Sequence, residues 1–120
     1  MRRVAITGLG CVSSLGHNVE SFLSGTREGL SGVAKTTLPD ADQLTAQNVA
    51  EVKNWDAAAY IDRKTLNLSD RFSQFALAAA DQAMTHAGDV SGDRTAVIVG
   101  TGVGGAVTIE EGYDRVWRKG

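Results

Sequence analysis

Cysteine, proline and histidine are scarce in this 120-residue chain: there is one Cys, one Pro and two His, with only three Phe, two Tyr and two Trp. A lone cysteine, Cys11, excludes an internal disulfide framework and a cysteine-rich zinc site. His17 and His86 stand at no metal-ligand spacing with each other, with Cys11 or with a carboxylate. No stretch reaches the ~20 apolar residues that a membrane-spanning helix needs. An excess of one charge is missing too. Twelve Lys and Arg against 14 Asp and Glu give a net charge of −2, and basic runs stop at two residues. Nucleic-acid binding, which draws on clustered cations to release counterions, has no footing here. Arg2-Arg3 before an apolar run, with Leu9-Gly10-Cys11 behind it, has the outline of a lipoprotein leader. Thr7, Gly8 and Gly10 interrupt the run, and Cys11 comes too early for a usual apolar core. These absences predict a soluble intracellular protein of the cytoplasm, with no metal and no cofactor.

Glycine is the residue the chain does not lack, with 14 copies. The stretch Val97-Ile98-Val99-Gly100-Thr101-Gly102-Val103-Gly104-Gly105 reads as a buried strand emptying into a glycine turn, with a helical pattern following through Arg118. Glycines so dense imply positive φ or a very close neighbour. An α/β protein usually binds its ligand at such a place, the carboxyl end of a strand. Val4-Ala5-Ile6-Thr7-Gly8-Leu9-Gly10 repeats the grammar, with Val4 to Leu9 as a first strand.

Between them, Asn18 is a candidate N-cap for a helix to Arg27 that shows Val19, Phe22 and Leu23 on one face. Leu38-Pro39-Asp40 predicts a turn, and Asn48 to Val52 a short edge strand. The clearest element is a helix from Asp70 to about Ala87. Ser69 stands where a cap would, Asp70 suits the positive helix end, and Gly88 suits the stop. Phe72, Phe75, Leu77, Met84 and a run of alanines make it apolar almost all round, which requires neighbours on several sides. Asp89 to Arg94 predicts a turn before the second strand. Strand, helix, strand, helix implies a parallel βαβ crossover in an α/β fold. Two central strands make too small a sheet to enclose that helix, so the chain reads as part of something larger.

No complete catalytic constellation is present. Gly100, Gly102 and Gly105 satisfy G-x-G-x-x-G, but a dinucleotide fold needs a further strand ending in Asp or Glu, which is missing. Cys11 has no evident base apart from His17 and reads as a small space-filler. His17 lies in a turn, and His86 in a last helical turn, where a positive charge complements the dipole. Glu110-Glu111 reads as the acidic start of the last helix. Arg63-Lys64 and the later Arg115, Arg118 and Lys119 read as solvated basic groups that an acidic partner could meet.

Five segments, in order and at matching spacing along the whole chain, resemble the N-terminus of the β-ketoacyl-acyl carrier protein synthases, elongating condensing enzymes of the thiolase superfamily. They are Arg3 to Gly10, Ser14-Leu15-Gly16, Asp62-Arg63-Lys64, Asp70 to Ala80, and Val99 to Gly105 with Ile109-Glu110-Glu111. The resemblance implies the βαβ portion of a five-layer αβαβα fold. Residues 1–120 would then be an N-terminal fragment of the synthase N-terminal domain, with no complete second domain. It implies decarboxylative Claisen condensation of an acyl thioester with malonyl-acyl carrier protein, in fatty acid or polyketide synthesis. The cysteine and two histidines of that chemistry would lie beyond Gly120, leaving no catalytic residue in this stretch.

Residue by residue, Val103, between Gly102 and Gly104, matches a position bordering the acyl pocket near the dimer contact. Arg63 and Lys64 match a basic region that docks the acidic carrier protein. Asn67-Leu68 and Ser69 depart from the further basic residues and the methionine common there. The implied partners are acyl carrier protein, acyl and malonyl thioesters and a second copy in a homodimer, with no nucleic acid and no membrane. A non-catalytic chain-length partner subunit of the same fold is the alternative, and a dinucleotide-binding module the third reading. Alone, the 120 residues are expected to be inactive and poorly stable.

Overall fold

Helix α1 (Val19–Arg27) begins where the sequence places it, because Asn18 and Ser21 form a reciprocal capping box. The Ser21 amide donates to Asn18 Oδ1 at 2.8 Å, and the Asn18 amide to Ser21 Oγ at 3.3 Å. Residues 3–88, 90 and 92–118 are described by this computed structural model. Arg2 of the N-terminal basic pair, Asp89 of the expected turn and Lys119 of the last basic group lie outside them.

After α1 the chain forms a small antiparallel ribbon. Strand β1 (Ala34–Lys35) pairs with β2 (Asn48–Val49), Ala34 opposite Val49 and Lys35 opposite Asn48. The expected turn at Leu38-Pro39-Asp40 is present, with Asp40 at φ 54° leading a short 3-10 turn over Ala41–Gln43. A second 3-10 turn (Ala57–Ala59) and the four-residue helix α2 (Arg63–Leu66) lead to α3 (Arg71–Ala87). The turn before residue 95 closes through a bond from the Thr95 amide to Gly92 O at 3.0 Å. Helix α4 (Ala106–Arg118) ends the described chain. No described helix is long and apolar enough to cross a membrane.

Trp55 joins these pieces. Its ring stacks on Tyr60 at 5.0 Å, meets Phe75 of α3 edge-on at 5.1 Å and meets His17 edge-on at 5.3 Å. His17 Nε2 lies 3.0 Å from Lys53 O, and Arg71 Nη2 donates to Val52 O at 2.8 Å. One loop is thereby tied to the approach to α1 and to the start of α3.

One cap expectation for α3 needs correction. Asp70, not Ser69, is the N-cap residue, and its side chain makes no cap bond to its own helix. Ser69 Oγ instead donates backward to Thr65 O at 2.6 Å, while Gln74 Nε2 donates to Ser69 O at 3.0 Å. Gly88 ends the helix at φ 78° as expected.

The expected strands at Val4 to Leu9 and Val97 to Val99 form no ladder among the described residues, so the parallel crossover has no paired sheet there. The reason is physical: a strand is completed by its neighbour, and these segments have none to pair with. Val4 is 95% and Ile98 93% exposed. The N-terminal segment is nonetheless held to α3. A Cβ at Gly8 would overlap the Ala83 carbonyl, and one at Gly10 the Ala79 carbonyl. Two residues of chain thus cover four residues of helix in the opposite direction. That matches extended backbone, since four helical residues rise ~6 Å and two extended ones ~6.6 Å. The Leu9 amide donates to His86 Nδ1 at 3.2 Å, and the Cys11 amide to Gln82 Oε1 at 3.2 Å. His86 stands in the last turn of α3 as expected, and its Nδ1 pins this segment.

Little apolar surface is enclosed. Among the described hydrophobic residues only Ile61 and Ala78 are buried. The accessible surface is 10032 Å², against about 6,200 Å² for a compact protein of this mass. The radius of gyration is 17.6 Å, against about 13.6 Å for a compact domain of this length.

Candidate functional site

The glycine turn sits between two helix starts. Of its four glycines only Gly104 adopts positive φ, at 73°, where a Cβ would be strained. The Gly104 amide donates to Thr101 Oγ1 at 3.1 Å, and Phe72 of α3 lies 3.7 Å from where its Cβ would stand. Gly105 differs: a side chain there would push aside the carboxyl group of Asp70 in its present rotamer. Its carbonyl accepts the first bond of α4, from the Ile109 amide at 3.0 Å. Gly100 and Gly102 have nothing within 4 Å of where a Cβ would stand. Val103 is 77% exposed. The turn is therefore fixed along its α3 side and bare along the other.

A cavity of about 450 Å³ opens between α3 and α4, lined by Asp70, Phe72, Phe75, Gly104, Gly105 and Thr108 among others. Gly102 and Val103 do not line it. Glu110 and Glu111 are not the acidic start of α4, whose first turn carries no acidic residue. The negative charge at that end comes from another helix: Thr108 Oγ1 donates to Asp70 Oδ1. An anion there complements the helix dipole. It also repels the pyrophosphate that a G-x-G-x-x-G turn would seat at its third glycine, which counts against the dinucleotide reading.

Arg63 and Lys64 open α2, whose N-cap Asp62 accepts from the Lys64 and Thr65 amides. Thr65 Oγ1 donates to the same carboxylate at 2.5 Å. These bonds, the Thr65 hydroxyl first, hold the Asp62 carboxyl below its usual range. Both basic side chains are exposed. The ion pair found among the described residues joins Arg118 Nε to Asp114 Oδ1 at 2.8 Å and leaves the α2 pair to solvent. Leu68 is 82% exposed. Neither Arg63 nor Lys64 lines the α3–α4 cavity.

Cys11 is a free, half-buried thiol. Neither histidine is bonded to it, since His17 faces Lys53 O and His86 faces the Leu9 amide. Among the described residues no group of three His, Cys, Asp or Glu could hold a metal ion. Sequence reasoning noticed Asp70 only for its own helix and missed its reach to Thr108 and Gly105. The available signal was a strong capping residue next to a second capping candidate, Ser69, which left one of the two without a local task.

The trace is similar to that of the structure described as "The ishigamide ketosynthase/chain length factor", with a TM-score of 0.79 at 33% identity, covering 96% of this chain and 30% of that one. The α/β fold is accordingly the thiolase-like one that the motifs imply. The family described as "Beta-ketoacyl synthase, N-terminal domain" matches residues 1–120, and the chain belongs to it. Relatives include the 3-oxoacyl-[acyl-carrier-protein] synthase 2 of Coxiella burnetii, 39% identical over 99% of this chain and 30% of the relative. That of Synechocystis is 34% identical over 92% of this chain and 27% of the relative, and one from Staphylococcus aureus is 33% identical over 99% and 30%. The chain thus spans about 30% of the length of these relatives.

Proposed function

We propose that residues 1–120 form the N-terminal part of a 3-oxoacyl-[acyl-carrier-protein] synthase, acting in fatty acid or polyketide synthesis as a cytoplasmic homodimer. The reaction is the decarboxylative Claisen condensation of the family: a cysteine takes the acyl chain from its carrier. Malonyl carrier protein then loses CO2, and the resulting carbanion attacks the acyl thioester, releasing the cysteine and leaving 3-oxoacyl carrier protein. This stretch supplies one wall of that site rather than its nucleophile. The carrying observation is the likeness in trace to a ketosynthase along 96% of the chain. The bare apolar segments support it, because they offer surface for further layers to cover.

In this reading Val103, flanked by Gly102 and Gly104, borders the acyl pocket, and its small branched side chain leaves room for a longer primer. Arg63 and Lys64 meet the acidic carrier protein by charge complementarity. The test is condensation by the full-length protein with acyl and malonyl carrier proteins. Product is expected, with Val103→Phe shifting preference to shorter primers. An unchanged length profile in that variant removes Val103 from the pocket. The second reading, a non-catalytic chain-length subunit, is favoured by the ishigamide neighbour, whose description joins both types. It expects no product from the protein alone and product once a ketosynthase partner is added.

A further inference from the structure

We propose that Asp70 is a positioning residue: from the start of α3 it holds the glycine turn that carries Val103, and so sets how the acyl wall stands. The inference rests on the synthase reading above for its functional consequence, but not for its geometry. Three observations meet at this carboxylate. Asp is among the strongest N-cap residues, yet Asp70 occupies the N-cap place of α3 without bonding to its own helix. Its Oδ1 accepts instead from Thr108 Oγ1 in the first turn of α4. It also lies against Gly105, so that a side chain there would displace the carboxylate from its place beside Thr108. The carboxylate therefore supplies α4 with the anionic end that its own sequence lacks.

The turn has little other support. Phe72 touches the Gly104 position, the Gly104 amide bonds within the turn to Thr101, and Gly100 and Gly102 meet nothing. Val103 stands one residue from Gly104 and two from Gly105. A shift of α4 relative to α3 must pass through those two glycines before it reaches Val103. The same carboxylate is also continuous with α2. Ser69, the residue before it, bonds back to Thr65 O, and Gln74 bonds to Ser69 O. The segment proposed to dock the carrier and the turn proposed to border the acyl chain thus share one fixed point.

The test uses the full-length protein and Thr108→Val, which removes the hydroxyl while keeping a branched side chain, with Thr108→Ser as the conservative restoration. Amide exchange is read across residues 104–109 and, as a control, across α1. Thr108→Val is expected to speed exchange at 104–109 about tenfold, the factor that loss of one charge-assisted hydrogen bond produces. Rates in α1 should stay unchanged and Thr108→Ser should restore the original rates. Asp70→Asn, which keeps the acceptor oxygen, is expected to fall between the two. Where the protein condenses, Thr108→Val is also expected to alter the ratio of kcat/KM for long over short primers, a readout that a general loss of stability leaves alone. Exchange at 104–109 that ignores Thr108→Val overturns the positioning role, whatever the activity. If exchange responds while the primer ratio holds in a protein whose ratio Val103→Phe does change, the link to the acyl wall is overturned. Absence of condensation by every form counts against the synthase reading alone, since the exchange result still decides the geometry.

Discussion

Trp55 and Trp117 are the two tryptophans of the chain, and their surroundings differ completely. Trp55 has Tyr60 on its face and Phe75 and His17 at its edges. Trp117, with Val107, Tyr113 and Val116 on the same helix, is 79% exposed. The contrast extends to whole regions. Residues 11–87 carry a capping box, a paired ribbon, capped short turns and the aromatic cluster. Residues 3–10 and 95–118 hold the most apolar segments of the molecule and leave them bare. The first region finds its partners within a few dozen residues. The second has sequences suited to central strands and a covered helix, whose partners must come from outside the described residues. Apolar content alone does not make a core; the reach of its contacts does.

The sharpest way to break this comparison is Ile98→Asp. In the longer synthase proposed above, Ile98 would enter a buried strand. An uncompensated charge there is expected to cost more than ~3 kcal/mol and abolish soluble expression. In the 120-residue chain the same side chain meets water, and the free energy of unfolding in urea is expected to change by less than ~0.5 kcal/mol. Equal effects in the two lengths would mean that the bare segments are not built for covering.

Trp55→Ala probes the other region. Full burial would make the loss ~3–5 kcal/mol; because Trp55 is half-buried, about 2 kcal/mol is expected, and in both lengths alike. Trp55→Phe should recover most of it, since the indole Nε1 is enclosed without a hydrogen-bond partner among the described residues. Stability that ignores Trp55→Ala would deny the inner region its self-sufficiency.

The same division separates what was legible in the sequence from what was not. Asn18 with Ser21, Gly88 after α3 and the Leu38-Pro39-Asp40 turn act over a few residues, so the chain announces them locally. The all-round apolar face of α3 called for neighbours, and one is found where Gly8 and Gly10 cross Ala79 and Ala83. Val4 to Leu9 and Val97 to Val99 were read as strands by composition, but a ladder is a property of two segments. The role of Asp70 escaped for a similar reason. Its partners, Gly105 and Thr108, lie 35 and 38 positions away, and no periodicity links them. Within the candidate site the glycine turn was legible and its support was not.

The mildest probe concerns the ribbon, where Glu51 ties the end of β1 to the end of β2. Thr36 Oγ1 donates to Glu51 Oε1 at 2.6 Å, the Thr37 amide to the same oxygen at 2.9 Å, and Thr37 Oγ1 to Oε2 at 2.8 Å. These donors, the Thr36 hydroxyl first, lower the carboxyl from 4.5 to about 2. The folded protein therefore binds this proton more weakly than the unfolded chain, and protonation favours unfolding. The stabilisation is whole above pH 4.5 and is lost as pH falls toward 2. The carboxyl faces solvent, so the loss should be small and local, read best as disappearance of the Thr36 and Thr37 contacts in an NMR titration. Thr36→Val removes the leading donor and is expected to move the midpoint of Glu51 back toward 4.5, while the α4 resonances stay unmoved over that range. A Glu51 midpoint that stays low without the Thr36 hydroxyl would show that the ribbon is held by something other than this bridge.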